Sequence, residues 1–290
     1  METRILNFKD NKIQELSLDE LKSTVKEEDY SGNPLMGMYH WEFIEKAINV
    51  VDKAGLSFTL DPIWAAQNQD KARPGISVIE KYREEYGDGS VQSFLLRRIF
   101  SRILISDLED AETNTAIALS FNQMGFQLAF GPNVKICQNL AILGADKLMT
   151  TYASDNRMPN PGRIIEVLGD WLKDFHEIRA REKRTIEAMK ELIVPDHEIM
   201  EIIGELTAKR LRRENPKFPR EPLNPLNQGQ IGQFTTNFLL QRAAADTRFT
   251  AWDIYNMATE LYKPGITDFP ILLSSNQAMS QYMNERYHFN

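Results

Sequence analysis

Cysteine is almost absent from this chain: Cys137 is the only one in 290 residues. A single cysteine cannot close an internal disulfide, so nothing in the composition requires an oxidising compartment. Histidine is nearly as scarce. His40, His176, His197 and His288 are the four present, and they lie far apart. None forms HExxH or joins a CxxC pair; "HEIME" at His197 lacks the second histidine one turn on. No Walker loop, GxGxxG or GxSxG occurs, and no carboxylate pair stands out as catalytic. No apolar run approaches the length of a membrane span, and "METRILNFKDNKIQEL" has no signal-peptide core. The expectation is therefore a soluble, cytoplasmic, non-enzymatic protein without metal, cofactor or membrane association.

What the chain has is ordinary globular composition, 42% hydrophobic and 26% charged, with a formal net charge of −7. That balance disfavours a protein coating nucleic acid with its whole surface, but it permits a local basic stripe. One stripe is evident. "KRLRRENPKFPR", Lys209 to Arg220, holds six basic residues against the single acid Glu214. A smaller cluster, "RRIFSR", brings Arg97, Arg98 and Arg102 together.

Periodicity divides the chain into three parts. Residues 1–35 read as an acidic arm, with Ser17 and Glu20 spaced as a capping box. Residues 36–160 read as an α+β core. "YHWEFIEKAINVVDKAG" is an amphipathic helix that Gly55 can stop, and Leu56, Phe58 and Leu60 then alternate as in a strand. "VQSFLLRRIFSRILI" fits a strand or a helix. "TNTAIALSF" and "FQLAF" each put apolar residues on one face, with a short link suited to a β-hairpin, and "NVKIC" continues as a third strand. Residues 161–290 read as mainly helical. Ile164, Leu168, Trp171, Phe175, Ile178, Ile186, Met189 and Ile193 form one long helical seam, interrupted by Glu182. Its expected partner is the helix starting at Asp196, as a helical hairpin, although a seam of this kind serves equally as an oligomer interface. "TAWDIYNMATELYK", capped by Thr250 and Asp253, is the closing helix.

Two features carry chemistry. Cys137 as a nucleophile would need a base and a positive setting to lower its pKa. No histidine is near it in sequence, and a lone cysteine at the end of an apolar strand is more often a buried filler. In the basic stripe, Lys209, Arg210, Arg212 and Arg213 finish a helix, where cations complement the dipole. That accounts for about half of the cluster. Lys217 and Arg220 lie beyond the helix with Phe218 between them, while Pro216, Pro219 and Pro222 favour an extended loop. A basic loop carrying an aromatic is the composition that holds single strands by phosphate contact and base stacking.

Taken in order, several stretches resemble a phage-, prophage- and plasmid-encoded family catalogued as domain of unknown function 932. They are "FIEKAINVVDKAGLSFTL", "AAQNQDKARPG", "AIALSFNQMGFQLAFGPNVKICQNLAILG", "FHEIRAREKRTIEAMKELIVP" and "AWDIYNMATELYK", spanning about Tyr39 to Lys263. Two departures matter. Many members carry Asn-Ser-His-Asp-Gly in the hairpin, where this chain has "SFNQMG". The family's Cys-x-Asn persists as Cys137 and Asn139, but the glycine after it is Leu140. The departures favour a structural motif in which Asn139 bonds local backbone and Cys137 packs.

The resemblance implies a role in a mobile element's DNA metabolism or in countering host defence. The first expectation is a non-catalytic protein binding nucleic acid, single-stranded DNA above all, during replication, recombination or annealing. The alternative is a protein-binding inhibitor of a host anti-phage defence complex. A homo-oligomer is compatible with either. Cys137→Ser should lower stability modestly and leave activity per folded molecule unchanged; rapid alkylation of native protein at Cys137, with loss of activity, would overturn its reading as a packing residue.

Overall fold

The computed structural model describes residues 13–24, 37–66, 98–106, 113–122, 125–134, 139–140, 148–152, 160–214, 217, 224–244, 248–262 and 269–289. The fold is α+β, and its centre is the hairpin of β5 (Thr113–Asn122) and β6 (Gly125–Val134). These strands pair antiparallel from Thr113↔Val134 to Asn122↔Gly125. Strict alternation sends Ile117, Leu119 and Phe121 to one side, opposite Phe130, Leu128 and Phe126 respectively. The other side carries Ala116, Ala118, Ser120, Ala129 and Gly131. A strand has two faces, and here one is bulky and the other small.

β4 (Arg98–Ile105) extends the sheet from β5. Its outer edge is shared: β3 (Ile63–Ala66) pairs with its first residues and β2 (Phe58–Leu60) with its last. β1 (Ile13–Leu16) adds to β3. Beyond β6, β8 (Leu148–Tyr152) pairs with its first half and β7 (Asn139–Leu140) with its end, giving an eight-stranded antiparallel sheet.

Helices cover both faces. The bulky face receives α1 (Leu18–Thr24), α2 (His40–Lys53), α3 (Pro161–Lys173) and the start of α4 (Phe175–Glu191), through Leu21, Phe43, Ala47, Leu168, Trp171 and Phe175. Gly55, at φ +72°, turns the chain out of α2 towards β2. The small face lets α8 (Phe269–Tyr287) approach closely, with Leu273 buried among Ala116, Ala118 and Ala129. A second core lies beyond the sheet. It gathers Ile186 and Met189 of α4, Val194 of β9 (Ile193–Val194), and Ile199, Ile202 and Leu206 of α5 (Asp196–Glu214). α6 (Gln228–Ala244), β10 (Phe249–Thr250), α7 (Ala251–Glu260) and the second half of α8 complete it.

Several sequence expectations are corrected. Residues 13–24 are not an arm: they contribute a strand to the sheet and bury Leu21 in the main core. The long seam is two helices, parted at Asp174. Its residues Leu168, Trp171, Phe175 and Ile178 pack on the sheet rather than along α5. Phe130 makes this contact, with ring centroids 5.9 Å from Trp171 and 6.0 Å from Phe175. Thus α3 packs on the sheet. Ile193 leaves the helix for β9, paired with Thr250. The "RRIFSRILI" stretch is strand from Arg98 on. Asn133 and Val134 complete β6 instead of starting a third strand, and Cys137 lies outside the described residues. The helix at Ala251 does not close the chain, since α8 follows it. The two expected capping boxes, Ser17 with Glu20 and Thr250 with Asp253, are formed.

The placement of Phe130 gives a test. Phe130→Ala should cost about 3–5 kcal/mol in urea unfolding, the range for emptying an aromatic site in a core. Trp171→Asp should prevent folding, because it sets a carboxylate among apolar rings; a folded Trp171→Asp chain of altered assembly would move Trp171 to a subunit interface.

Candidate nucleic-acid interface

The basic stripe starts on the last turns of α5. Lys209 is half-buried and already engaged: its Nζ lies 3.9 Å from Glu285 Oε2 and 5.1 Å from the centroid of the Tyr282 ring. Arg210 is half-buried, whereas Arg212, Arg213 and, in the turn beyond, Lys217 are exposed. Phe218 and Arg220 lie outside the described residues. Of the stripe, then, Arg212, Arg213 and Lys217 are placed where phosphate oxygens could reach them, at the C-terminal end of a helix.

Of the second cluster, only Arg102 has a described side chain. Arg97 is outside the described residues, and Arg98 opens β4 opposite Ala66. Arg102 is a correction: it is 2% exposed, on the small face of the sheet. Its Nε donates to Asp61 Oδ2 at 2.8 Å, and its Nη2 lies 2.5 Å from the same oxygen. Its Nη1 donates to Asn133 Oδ1 at 2.8 Å, and Asn133 Nδ2 donates on to Asn114 Oδ1 at 2.9 Å. The guanidinium also sits 5.9 Å from the Trp64 ring centroid. Burial pushes the Arg102 pKa below its usual value, and Asp61 opposes that push. The group is therefore a structural cation that ties the β2–β3 corner to β4, β5 and β6.

Periodicity alone missed a network between α5 and α8. Arg286 donates from Nη1 to Glu205 Oε1 at 2.9 Å and from Nη2 to Glu201 Oε2 at 3.0 Å, and its Nε is 3.4 Å from Glu198 Oε1. Tyr282 donates to Glu205 Oε2 at 2.5 Å. Burial works against ionising Glu205, but the Tyr282 hydroxyl and the Arg286 charge outweigh it and hold the carboxyl below its usual range. The signal was the spacing Glu198, Glu201, Glu205, which puts carboxylates on one flank of a helix.

Among the described residues no group of three or more His, Cys, Asp or Glu side chains could hold a metal ion. No helix among them is long and apolar enough to cross a membrane. Asn139 pairs with Val134 where β7 meets β6. No protein-family model, curated protein or solved structure matches the chain.

The Arg102 network predicts a large asymmetry between substitutions. Asp61→Ala strands a buried guanidinium and should cost about 3–5 kcal/mol, whereas replacing both partners by apolar groups of similar size should cost far less. Chemical denaturation of Asp61→Leu, Arg102→Met and the double variant Asp61→Leu/Arg102→Met measures this coupling, with Asp61→Ala as the cavity-forming comparison. Additive losses would mean that the pair does not act as a unit.

Proposed function

We propose that this is a mobile-element accessory protein that binds nucleic acid without performing chemistry on it, in the host cytoplasm. Its strand-holding surface would be the C-terminal end of α5 and the segment that follows. The observation that carries this reading is the exposure of Arg212, Arg213 and Lys217 together, immediately before Phe218 and Arg220 in sequence. Arg212 and Arg213 at the end of α5 and Lys217 beyond it are followed in sequence by Phe218 and Arg220 in a Pro-rich segment, the residue types used for phosphate contact plus a stacking ring. Single-stranded DNA is the preferred ligand, because ring stacking needs an unpaired base. Arg102 is not part of this surface, since it is buried in the sheet.

Binding to labelled single- and double-stranded oligonucleotides, measured across salt concentrations, tests the proposal. The slope of log affinity against log salt on a single strand is roughly −0.7 per phosphate neutralised, so Arg213→Ala with Lys217→Ala should flatten it by about 1.4. Phe218→Ala should weaken binding by roughly 1–3 kcal/mol with little change in slope if the ring stacks on a base. No salt-sensitive binding at micromolar protein would sink this reading and transfer support to the alternative, a protein-binding inhibitor of a host defence complex.

A further inference from the structure

The large apolar side chains exposed among the described residues are Ile193, Met200, Leu211, Leu239 and Leu240, and all lie on β9, α5 and α6. On α5 they belong to a definite stripe. His197, Met200, Gly204, Ala208 and Leu211 follow at steps of three and four, the spacing of one helix face. Met200 is 49% and Leu211 60% exposed, and a Cβ added at Gly204 would meet nothing within 4 Å. The opposite face buries Ile199, Ile202 and Leu206, so this stripe points away from the fold. A helix normally sends charge to solvent. Along this stripe it presents methionine, glycine and leucine, with Ala208 half-buried, while Glu201, Glu205 and Arg212 are exposed on the flank.

The stripe is symmetric about Gly204. His197 and Leu211 lie seven residues to either side, and Met200 and Ala208 four. Apart from Glu205 beside the centre and Glu214 at the end, charge reverses about the same point: Asp196, Glu198 and Glu201 precede it, while Lys209, Arg210, Arg212 and Arg213 follow. An isologous two-fold contact needs this property, because each patch must meet its own copy reversed. On the flank towards α8, Glu198, Glu201 and Glu205 lie beside Arg286, and Glu285 beside Lys209.

We propose that α5 is a self-association face: a second copy of this chain lays its α5 antiparallel across the first, crossing at Gly204. The missing side chain at Gly204 lets the two backbones approach, since interaxial distance depends on the residues at the contact. Met200 of each copy then packs beside Ala208 of the other, and Arg212 of each faces the Glu198–Glu201 stretch of the other. A parallel arrangement would set like charges against each other. Arg212 would be taken from the proposed nucleic-acid surface by this contact, whereas Arg213 and Lys217 fall outside the paired stretch, so the inference stands whether or not those two contact nucleic acid.

Sedimentation of the full chain over a range of concentrations tests this, with twice the chain mass expected. Gly204→Gln fills open space in a single copy and should leave the far-UV spectrum and melting unchanged or improved, while weakening self-association by about tenfold or more, about 1.4 kcal/mol or more. Glu201→Lys and Arg212→Glu should each weaken assembly alone, through two repulsive contacts per dimer. Mixed in equal amounts they should restore it as a heterodimer, because both contacts then join opposite charges. A chain that stays monomeric at the highest attainable concentration overturns the proposal. So does a dimer indifferent to Gly204→Gln, and so does a mixture that fails to recover.

Discussion

The β5–β6 hairpin presents Ile117, Leu119, Phe121, Phe126, Leu128 and Phe130 on one side and mainly Ala116, Ala118 and Ala129 on the other, and this inequality decides where each helix can go. Large side chains fill space between a sheet and helices spread over it, so α2, α3 and the start of α4 lie on the bulky face. Small ones leave room for a helix to sit close, and α8 takes that position through Leu273. Because α8 also reaches the second core through Met279, Tyr282 and Met283, the small face is what lets one helix join the cluster on that face to the second core. α4 makes the corresponding bridge on the other side, giving Phe175 and Ile178 to the first core and Ile186 and Met189 to the second.

Charge is buried where these bridges meet the sheet. Midway along α4, Arg179 and Glu182 lie between the two apolar groups, with Arg179 Nη2 donating to Thr113 Oγ1 at 2.7 Å. Under α8's face of the sheet, Arg102 is held by Asp61 and Asn133. Desolvating an ion pair often costs as much as the pair returns, so neither is evidence of net stability. What each supplies is direction. The Arg102 guanidinium, donating to Asp61 between β2 and β3 and to Asn133 of β6, favours one register of those strands, whereas alanine and leucine would tolerate a slip.

The sequence made the alternating strands legible because period two is imposed by geometry: the faces of β5 and β6, their hairpin and both expected capping boxes were predictable residue by residue. It misled where a pattern has two physical causes. The repeat from Ile164 to Met189 is what a helix shows against a sheet as well as against another helix, and the break at Asp174 leaves the spacing of apolar residues intact. "RRIFSR" looks basic in a string, yet a strand turns alternate residues to opposite faces, and Asp61, the partner that lets Arg102 be buried, is 41 positions away. α6 and α8 escaped because neither separates apolar from polar residues cleanly; buried Ser275, Asn276 and Ser280 blur the face of α8. For α6 there was a local signal. Asn227 and Gln230 exchange backbone bonds as a capping box, at 2.9 Å each.

The polarity of α5 connects the candidate site to the surface beside it. Acids in the first half and cations in the last turn suit the helix dipole, so this distribution needs no partner to be stable. The dipole, however, acts only within the terminal turns, and it explains neither an apolar solvent face nor a glycine at its centre. Those features concern the middle of the helix, while Arg213 and Lys217 concern its end. With Arg212 given to the paired stretch, the two surfaces could operate together through Arg213 and Lys217. A pair of chains crossed at Gly204 would carry its two Arg213 residues about 27 Å apart, at 1.5 Å of rise per residue. A single strand held at one basic end would then find the second within reach, and two weak contacts joined in this way bind far more tightly than either alone.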